Sequence, residues 1–234
     1  MTTQAMTHDG ANATRERAQP TRDSGQSARE EPALLSNLSE ALRRRGVNHW
    51  NDAQKAVDAA AKTRGTNLAR QDWVEAAEKA QRALVVIRER EADPLQQPVG
   101  TQPRVTATGA RAQAMRLVAQ VDQSQAKAAW DAFAEYISVV EDPARKSMLK
   151  GEELQMFFDA KAYDIAIARA RAVLQYEPAH LDAQRVLGMS LISSGDIAKI
   201  EEATTHLQRY LDQAPDTDPL KESARAAFEK VRKQ

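Results

Sequence analysis

The sequence predicts an all-α fold, on three observations. From residue 33 onward apolar residues recur at three- and four-residue spacing, the period of a helix with one buried face. No stretch sustains the apolar–polar alternation of a half-buried strand. Ala is abundant while aromatics make up only 5% of the chain, a composition suited to closely packed helix pairs.

Taken in order, residues 1–32 contain no Leu, Ile, Val, Phe, Trp or Tyr. Such a segment cannot bury enough apolar surface to offset the entropy of ordering, and it is expected to be a disordered polar tail. Residues 33–91 are expected to form an N-terminal helical segment. Leu34, Leu35, Leu38, Ala41 and Leu42 mark its first helix, and Ser36 or Ser39 could cap an end. Arg43, Arg44 and Arg45 before Gly46 suggest a helix stop, since basic residues suit the negative end of the dipole. A second helix is expected over 52–63, with Ala53, Ala56, Val57 and Ala60 inward, ending at Gly65. A third covers 72–91, burying Trp73, Ala76, Ala77, Ala80, Ala83, Leu84 and Ile87.

Residues 92–106 carry Pro94, Pro98, Gly100 and Pro103 and no helical period. They read as a Pro-rich linker. Beyond it, helices are expected over 109–121, 125–140, 144–160, 163–175, 181–193, 200–213 and 219–232. The region 107–234 is thus expected to fold without the N-terminal half.

Composition narrows the function. The 33 basic and 33 acidic residues cancel, so no global charge argues for nucleic acid or an anionic membrane. The Arg triplet points around its helix rather than along one face, which disfavours a nucleic-acid patch. No Cys is present, excluding disulfides, a thiol nucleophile and Cys-ligated zinc or iron–sulfur sites. No apolar run approaches the roughly 20 residues that cross a bilayer, and residues 1–19 lack a signal-peptide core. A cytoplasmic location without membrane insertion is the expectation.

The helices after the linker repeat. In 147–180, Phe157 stands near the end of a first helix and Tyr163 opens a second. Ala166 and Ala170 lie at small-residue positions, Val173 and Leu174 complete the seam, and Pro178 ends the unit. The next unit begins at Leu181, with Leu187-Gly188, Leu191, Gly195-Asp196, Ala203, Leu207, Tyr210, Leu211 and Pro215. Three extra residues around Ile197 to Lys199 fall in its turn. These spacings resemble the tetratricopeptide repeat (TPR), a 34-residue helix–turn–helix unit. Glu153-Leu154 departs from the pattern, where the family has Leu-Gly. The segment 125–143, with Ala129, Phe133, Tyr136 and Ile137, resembles a further second helix, and Trp73, Ala76, Ala80, Ala83 and Leu84 fit that template closely but with no closing proline and no matching first helix. The helix over 219–232, apolar at Leu220, Ala224, Ala227, Phe228 and Val231, looks like a cap for the stack.

The resemblance implies a TPR-like α-superhelix whose first helices line a concave groove for a peptide or helix of a protein partner. Carried over, the groove positions are Met148, Gly151, Gln155, Phe158, Asp159, Asp182, Arg185, Met189, Ile192 and Ser193. Packing of Met and Phe between repeats is the alternative for those side chains. The Lys/Asn cradle that holds a C-terminal carboxylate in some TPR co-chaperones is missing, with Gly151 and Gln155 in its place.

The expected function is a non-catalytic protein–protein interaction adaptor. Alternatives are a secretion-type chaperone that holds a client, and a self-associating structural component. No catalytic residue, metal or cofactor is expected. His8, His49, His180 and His206 lack the spacing of a helical metal site and read as surface residues. The adjacent pairs Glu152-Glu153 and Glu201-Glu202 diverge around their helices and cannot act together. Neither a phosphate loop nor a nucleophile elbow is present.

Overall fold

A computed structural model describes residues 23–96, 99–195 and 197–232, with the side chains of 23–30 and 197 aside. Among the described residues there are nine α-helices and no strand. They are α1 (Asp23–Lys55), α2 (Ala59–Ala92), α3 (Thr101–Val121), α4 (Ala126–Val139), α5 (Pro143–Asp159), α6 (Tyr163–Tyr176), α7 (Leu181–Ser193), α8 (Ile200–Gln213) and α9 (Lys221–Arg232).

The first two helices differ most from expectation. The polar tail falls outside the described residues over 1–22, but residues 23–32 belong to α1. Gln26, Ala28, Arg29, Glu30 and Glu31 are strong helix formers, a property that a count of apolar residues ignores. Pro32 lies inside the helix, although it removes one backbone donor. Gly46 is no stop, because α1 continues to Lys55. A Cβ on Gly46 would lie 2.4 Å from Trp73 Nε1 and 3.0 Å from the Ala69 carbonyl oxygen. The glycine therefore serves the close crossing of α1 and α2. Gly65 does the same against Ala53, 2.7 Å from a built Cβ. The break between the helices falls at 56–58, where Asp58 caps α2 by accepting the Ala61 N–H at 2.8 Å. Val57 sits in that break and is exposed rather than inward, as is Ala60. The two long helices span about 50 Å each at 1.5 Å per residue.

The linker is shorter than expected. Helix α2 ends at Ala92 and α3 starts at Thr101, so 101–106 is helical. Pro103 is tolerated because it occupies the first turn, where its N–H would have no helical partner. Nor does the linker separate two cores. Ala107 packs with Ala83, Leu84 and Ile87; Ala114 with Leu42, Ala76 and Ala77; Val118 with Ala69 and Trp73. The opposite side of α3 supplies Ala112 to a cluster with Phe133, Tyr136 and Leu149. Helix α3 is thus shared between the N-terminal hairpin and everything after it.

From α3 onward the apolar clusters overlap like links. Leu154 and Phe157 of α5, Ala166 and Ala170 of α6, Leu187 and Leu191 of α7, and Ala203 of α8 form one. Leu207 and Tyr210 of α8 join Ala224 and Phe228 of α9 in the next. The helices over 181–193 and 200–213 have the expected bounds, and the three extra residues Ile197–Lys199 form one 3-10 turn.

Two turns repeat at a fixed interval. Lys161, after α5, has φ +58°; its N–H and that of Ala162 donate to the carbonyls of Phe158 and Phe157. This is the Schellman closure of a helix C-terminus. Gly195, after α7, has φ +74° and stands 34 residues further on (195 minus 161).

Every odd-numbered helix from α5 onward packs on the next odd one: α5 on α7 and α7 on α9; α1 likewise packs on α3. Helices α3 and α5 are joined through Gln113 Nε2, which donates to Glu152 Oε2 at 2.8 Å. Helices α2 and α4, and helices α6 and α8, are bridged by long ion pairs. Arg88 of α2 reaches Glu135 of α4 at 2.9 Å, and Arg171 of α6 reaches Glu202 of α8 at 2.7 Å.

Candidate functional site

The odd-numbered row holds the residues to which the repeat pattern pointed. Arg185 of α7 is 4% exposed, an unusual degree of burial for a guanidinium. Its Nη1 donates to Gln155 Oε1 at 2.7 Å, and its Nη2 to Asp182 Oδ1 at 2.9 Å. The guanidinium lies 5.9 Å from the Tyr210 ring centroid. Tyr210 in turn donates to Asp218 Oδ2 at 2.8 Å. Burial and that carboxylate push the Tyr210 hydroxyl above its usual range. On α5, Gln155 Nε2 donates to Asp159 Oδ1 at 2.7 Å. A polar chain thus runs Tyr210, Arg185, Gln155, Asp159 across three helices.

Gly151 admits Asp182 to this row, since a Cβ there would lie 2.5 Å from Asp182 Oδ2. A second tether joins the start of the same helices. His180 caps α7 by accepting the Ala183 N–H at Nδ1, 3.3 Å away, which leaves Nε2–H to donate to the Ser147 carbonyl at 2.9 Å. Ser147 Oγ and Lys150 Nζ both reach Glu177, and the Lys150 bond leads in holding that carboxyl below its usual range. His206, half-buried, donates from Nδ1 to Gln184 Oε1 at 2.6 Å. Neither His180 nor His206 is the plain surface residue expected.

The other groove candidates have different surroundings. Phe158 is half-buried and meets Tyr163 at 5.7 Å between ring centroids. Met189 and Ile192 are half-buried against the α7–α9 cluster. All three are engaged in packing within the chain. Met148 is 46% exposed near the start of α5, and Ser193 is exposed at the end of α7. The structure joins Gln155, Asp159, Asp182 and Arg185 of the set by hydrogen bonds, with Gly151 against Asp182.

Gln155 and Asp159 also line a cavity of about 280 Å³ between α3, α4 and α5. Its other polar walls are Arg116 and Gln120 of α3, Gln123 of the turn after it and Trp130 of α4. Arg116 Nε and Trp130 Nε1 are buried and have no hydrogen-bond partner among the described residues. The guanidinium has one loose ion contact, Nη1 to Glu152 Oε2 at 3.9 Å. Trp130 is fixed by Phe157, 4.7 Å between centroids. The repeat template offers no hint of Arg116 or Trp130. Only the helical phase of Trp130, one residue after Ala129 at the core, could have placed it toward α5.

A second hollow, about 330 Å³, lies on the even-numbered side between α4, α5 and α6. Glu153 lies in its wall, 6% exposed, with Arg169 at 3.3 Å. Burial pushes this carboxyl up despite the arginine. Among the described residues no group of three or more His, Asp or Glu is placed to hold a metal ion, and no described helix is long and apolar enough to cross a membrane. No family model matches the chain, and no curated protein or solved structure matches it.

Proposed function

We propose that the chain is a protein-binding adaptor whose α3–α9 region is a TPR-like superhelix, and that it holds a peptide or helix of its partner along the odd-numbered helices. The observation that carries this reading is the spacing of the two rows. Helix α5 packs on α7 and α7 on α9, α3 reaches α5 through Gln113 and Glu152, and α2–α4 and α6–α8 are bridged by arginine-length ion pairs. A stack closer on one side than the other curves toward the close side, and that side becomes the concave one. The 34-residue interval between the left-handed turns at Lys161 and Gly195 supports the same reading. Exposed polar side chains along the row, Gln120 and Asp159 among them, suit an extended peptide with its own hydrogen-bonding groups.

A random linear peptide library displayed on phage tests the proposal. Selection should yield a shared sequence motif. A Gln120→Lys, Asp159→Lys double variant, at two side chains that carry no core packing, should lose binding to those peptides while keeping its melting temperature. If binding survives the substitutions, the groove is not the binding surface.

Self-association is the second reading, favoured by Leu34 and Leu38, which lie one turn apart on α1 at 62% and 44% exposure. Sedimentation at rising protein concentration distinguishes it: a mass that grows for the wild type and stays monomeric for Leu34→Glu, Leu38→Glu assigns α1 as a self-contact.

A further inference from the structure

We infer that a polar pocket on the odd-numbered row, between α1, α3 and the start of α5, binds an acidic side chain of the partner polypeptide. The inference rests on the groove reading and names one chemical feature of the ligand. The pocket holds about 460 Å³, within the range of ligand sites. Tyr136 comes to its wall from α4 and is only 7% exposed. The ring crosses α3 at Gly109, where a Cβ would lie 2.9 Å from Tyr136 Cζ and 3.1 Å from its hydroxyl oxygen. That oxygen accepts from Arg145 Nη2 at 3.3 Å, and its own proton meets no acceptor among the described residues. Arg145 is exposed, so an incoming group can reach the guanidinium. Its other side-chain contact is a weak one, Nη1 to the Met148 sulfur at 3.8 Å, and no carboxylate among the described residues pairs with it. The buried Ser36 lines the same wall, and its hydroxyl has no partner among the described residues.

The charges of the wall decide which acceptor. Arg43, Arg145 and Glu40 line it, two cations and one anion. Glu40 is already satisfied: Oε2 accepts from Arg43 Nε at 2.8 Å, and Oε1 from Arg43 Nη2 at 2.8 Å and Arg44 Nε at 2.7 Å. Nearby Glu152 is taken up by Gln113 and lies 3.9 Å from Arg116. The unspent charge is that of Arg145, and one negative group balances it. A carboxylate fits the planar fork of a guanidinium and can also accept from the Tyr136 hydroxyl. A cation would meet Arg145 and find Glu40 occupied. A phosphate dianion would bring a second charge that nothing in the wall balances. The row continues from α5 to α7 and α9, so a chain lying along it passes this pocket rather than ending there. The carboxylate is therefore that of a Glu or Asp side chain.

Carbon spectra of the full chain, with tyrosine labelled by ¹³C at Cζ, test this directly, because Cζ responds to the bonding of its hydroxyl. The chain has four tyrosines, and a Tyr136→Phe variant assigns the signal in question. The probes are N-acetylglutamate α-amide (a side-chain carboxylate), its neutral isostere N-acetylglutamine amide, N-acetylalanine (a chain-end carboxylate), inorganic phosphate and methylammonium. The glutamate probe should shift the Tyr136 signal saturably, leaving Tyr163, Tyr176 and Tyr210 in place. The glutamine isostere should bind about tenfold more weakly, the worth of one charge-assisted bond. Arg145→Gln should weaken the glutamate probe about tenfold as well and leave the isostere unchanged. Binding of any other probe to the wild type as tightly as the glutamate probe overturns the proposal. So does the absence of a saturable Tyr136 shift with the glutamate probe. Both of these outcomes are read on the wild type alone, so a variant that misfolds leaves the test intact. Selected peptides that bind without moving Tyr136 sink the pocket and leave the groove reading standing. A glutamate probe that binds where no peptide does reverses that outcome.

Discussion

At the scale of single residues, Arg185 joins the stack most directly. Its two end nitrogens serve Gln155 and Asp182, and it faces Tyr210. Truncating it leaves the half-buried Gln155 amide oxygen without this partner and removes charge-assisted bonds worth about 1.5–3 kcal/mol. Arg185→Met is therefore expected to lower stability by about 2 kcal/mol, read as a smaller urea midpoint at unchanged slope. A change below about 0.5 kcal/mol would mean that solvent replaces both bonds. His206 makes a pH prediction. Burial lowers its pKa from the ordinary value near 6.5, against a smaller upward pull from Glu202. The unfolded chain then takes up the proton first, so His206 favours folding above that value and its contribution is lost as the pH falls below it. Melting temperatures between about pH 7.5 and 5.5 should fall less steeply for His206→Gln than for the wild type. Equal slopes would refute the assignment. Glu40 bears on a lower window. The Arg43 bond leads in holding its carboxyl at about 2, but its exposure to solvent discounts that pair.

At the scale of helices and turns, the same residue type answers to different forces. Gly46 and Gly188 sit where backbones cross, Gly188 with a built Cβ 2.6 Å from Leu207 Cγ and 2.9 Å from the Ala203 carbonyl. Gly195 instead supplies a left-handed turn. Lys161 holds the equivalent turn without being glycine. A left-handed residue with a Cβ is strained by about 1–2 kcal/mol, while glycine adds about 0.5–1 kcal/mol of unfolded-state entropy. The first effect wins. Lys161→Gly should stabilise the chain by about 0.5–1 kcal/mol in chemical denaturation, and a loss of stability would show that the turn is unstrained.

At the scale of the whole molecule, α3 governs what is separable. Its α2-facing residues Ala107, Ala114 and Val118 are fully buried. A fragment of residues 107–234 loses the first turn of α3 and exposes that face. It should unfold at lower denaturant than the full chain, and hydrogen exchange should quicken in α3 before α7. A fragment as stable as the full chain would restore the linker as a true boundary. In a linear stack, exchange in the intact chain should also be slowest in the middle and faster toward α9.

The helical class and, in the second half, most of the elements are legible in the order of residues alone. There the apolar period, the small residues and the turn signals all agree, because each helix is short and buries one face against its chain neighbours. That Gln155 and Asp159 share one helix face, as do Asp182 and Arg185, is legible for the same reason, since residues three and four apart on a helix are neighbours. Gly46 and Gly65 are not: they look like stops in a linear reading, and only the crossing of α1 with α2 shows them as contact points. Pro103 looks like a breaker until its position in a first turn is known. The fates of Phe158, Met189 and Ile192, and the meeting of Arg116 and Trp130 with Asp159, depend on how three helices approach one another. Such approaches are set by side chains far apart in sequence, and local periodicity carries no record of them.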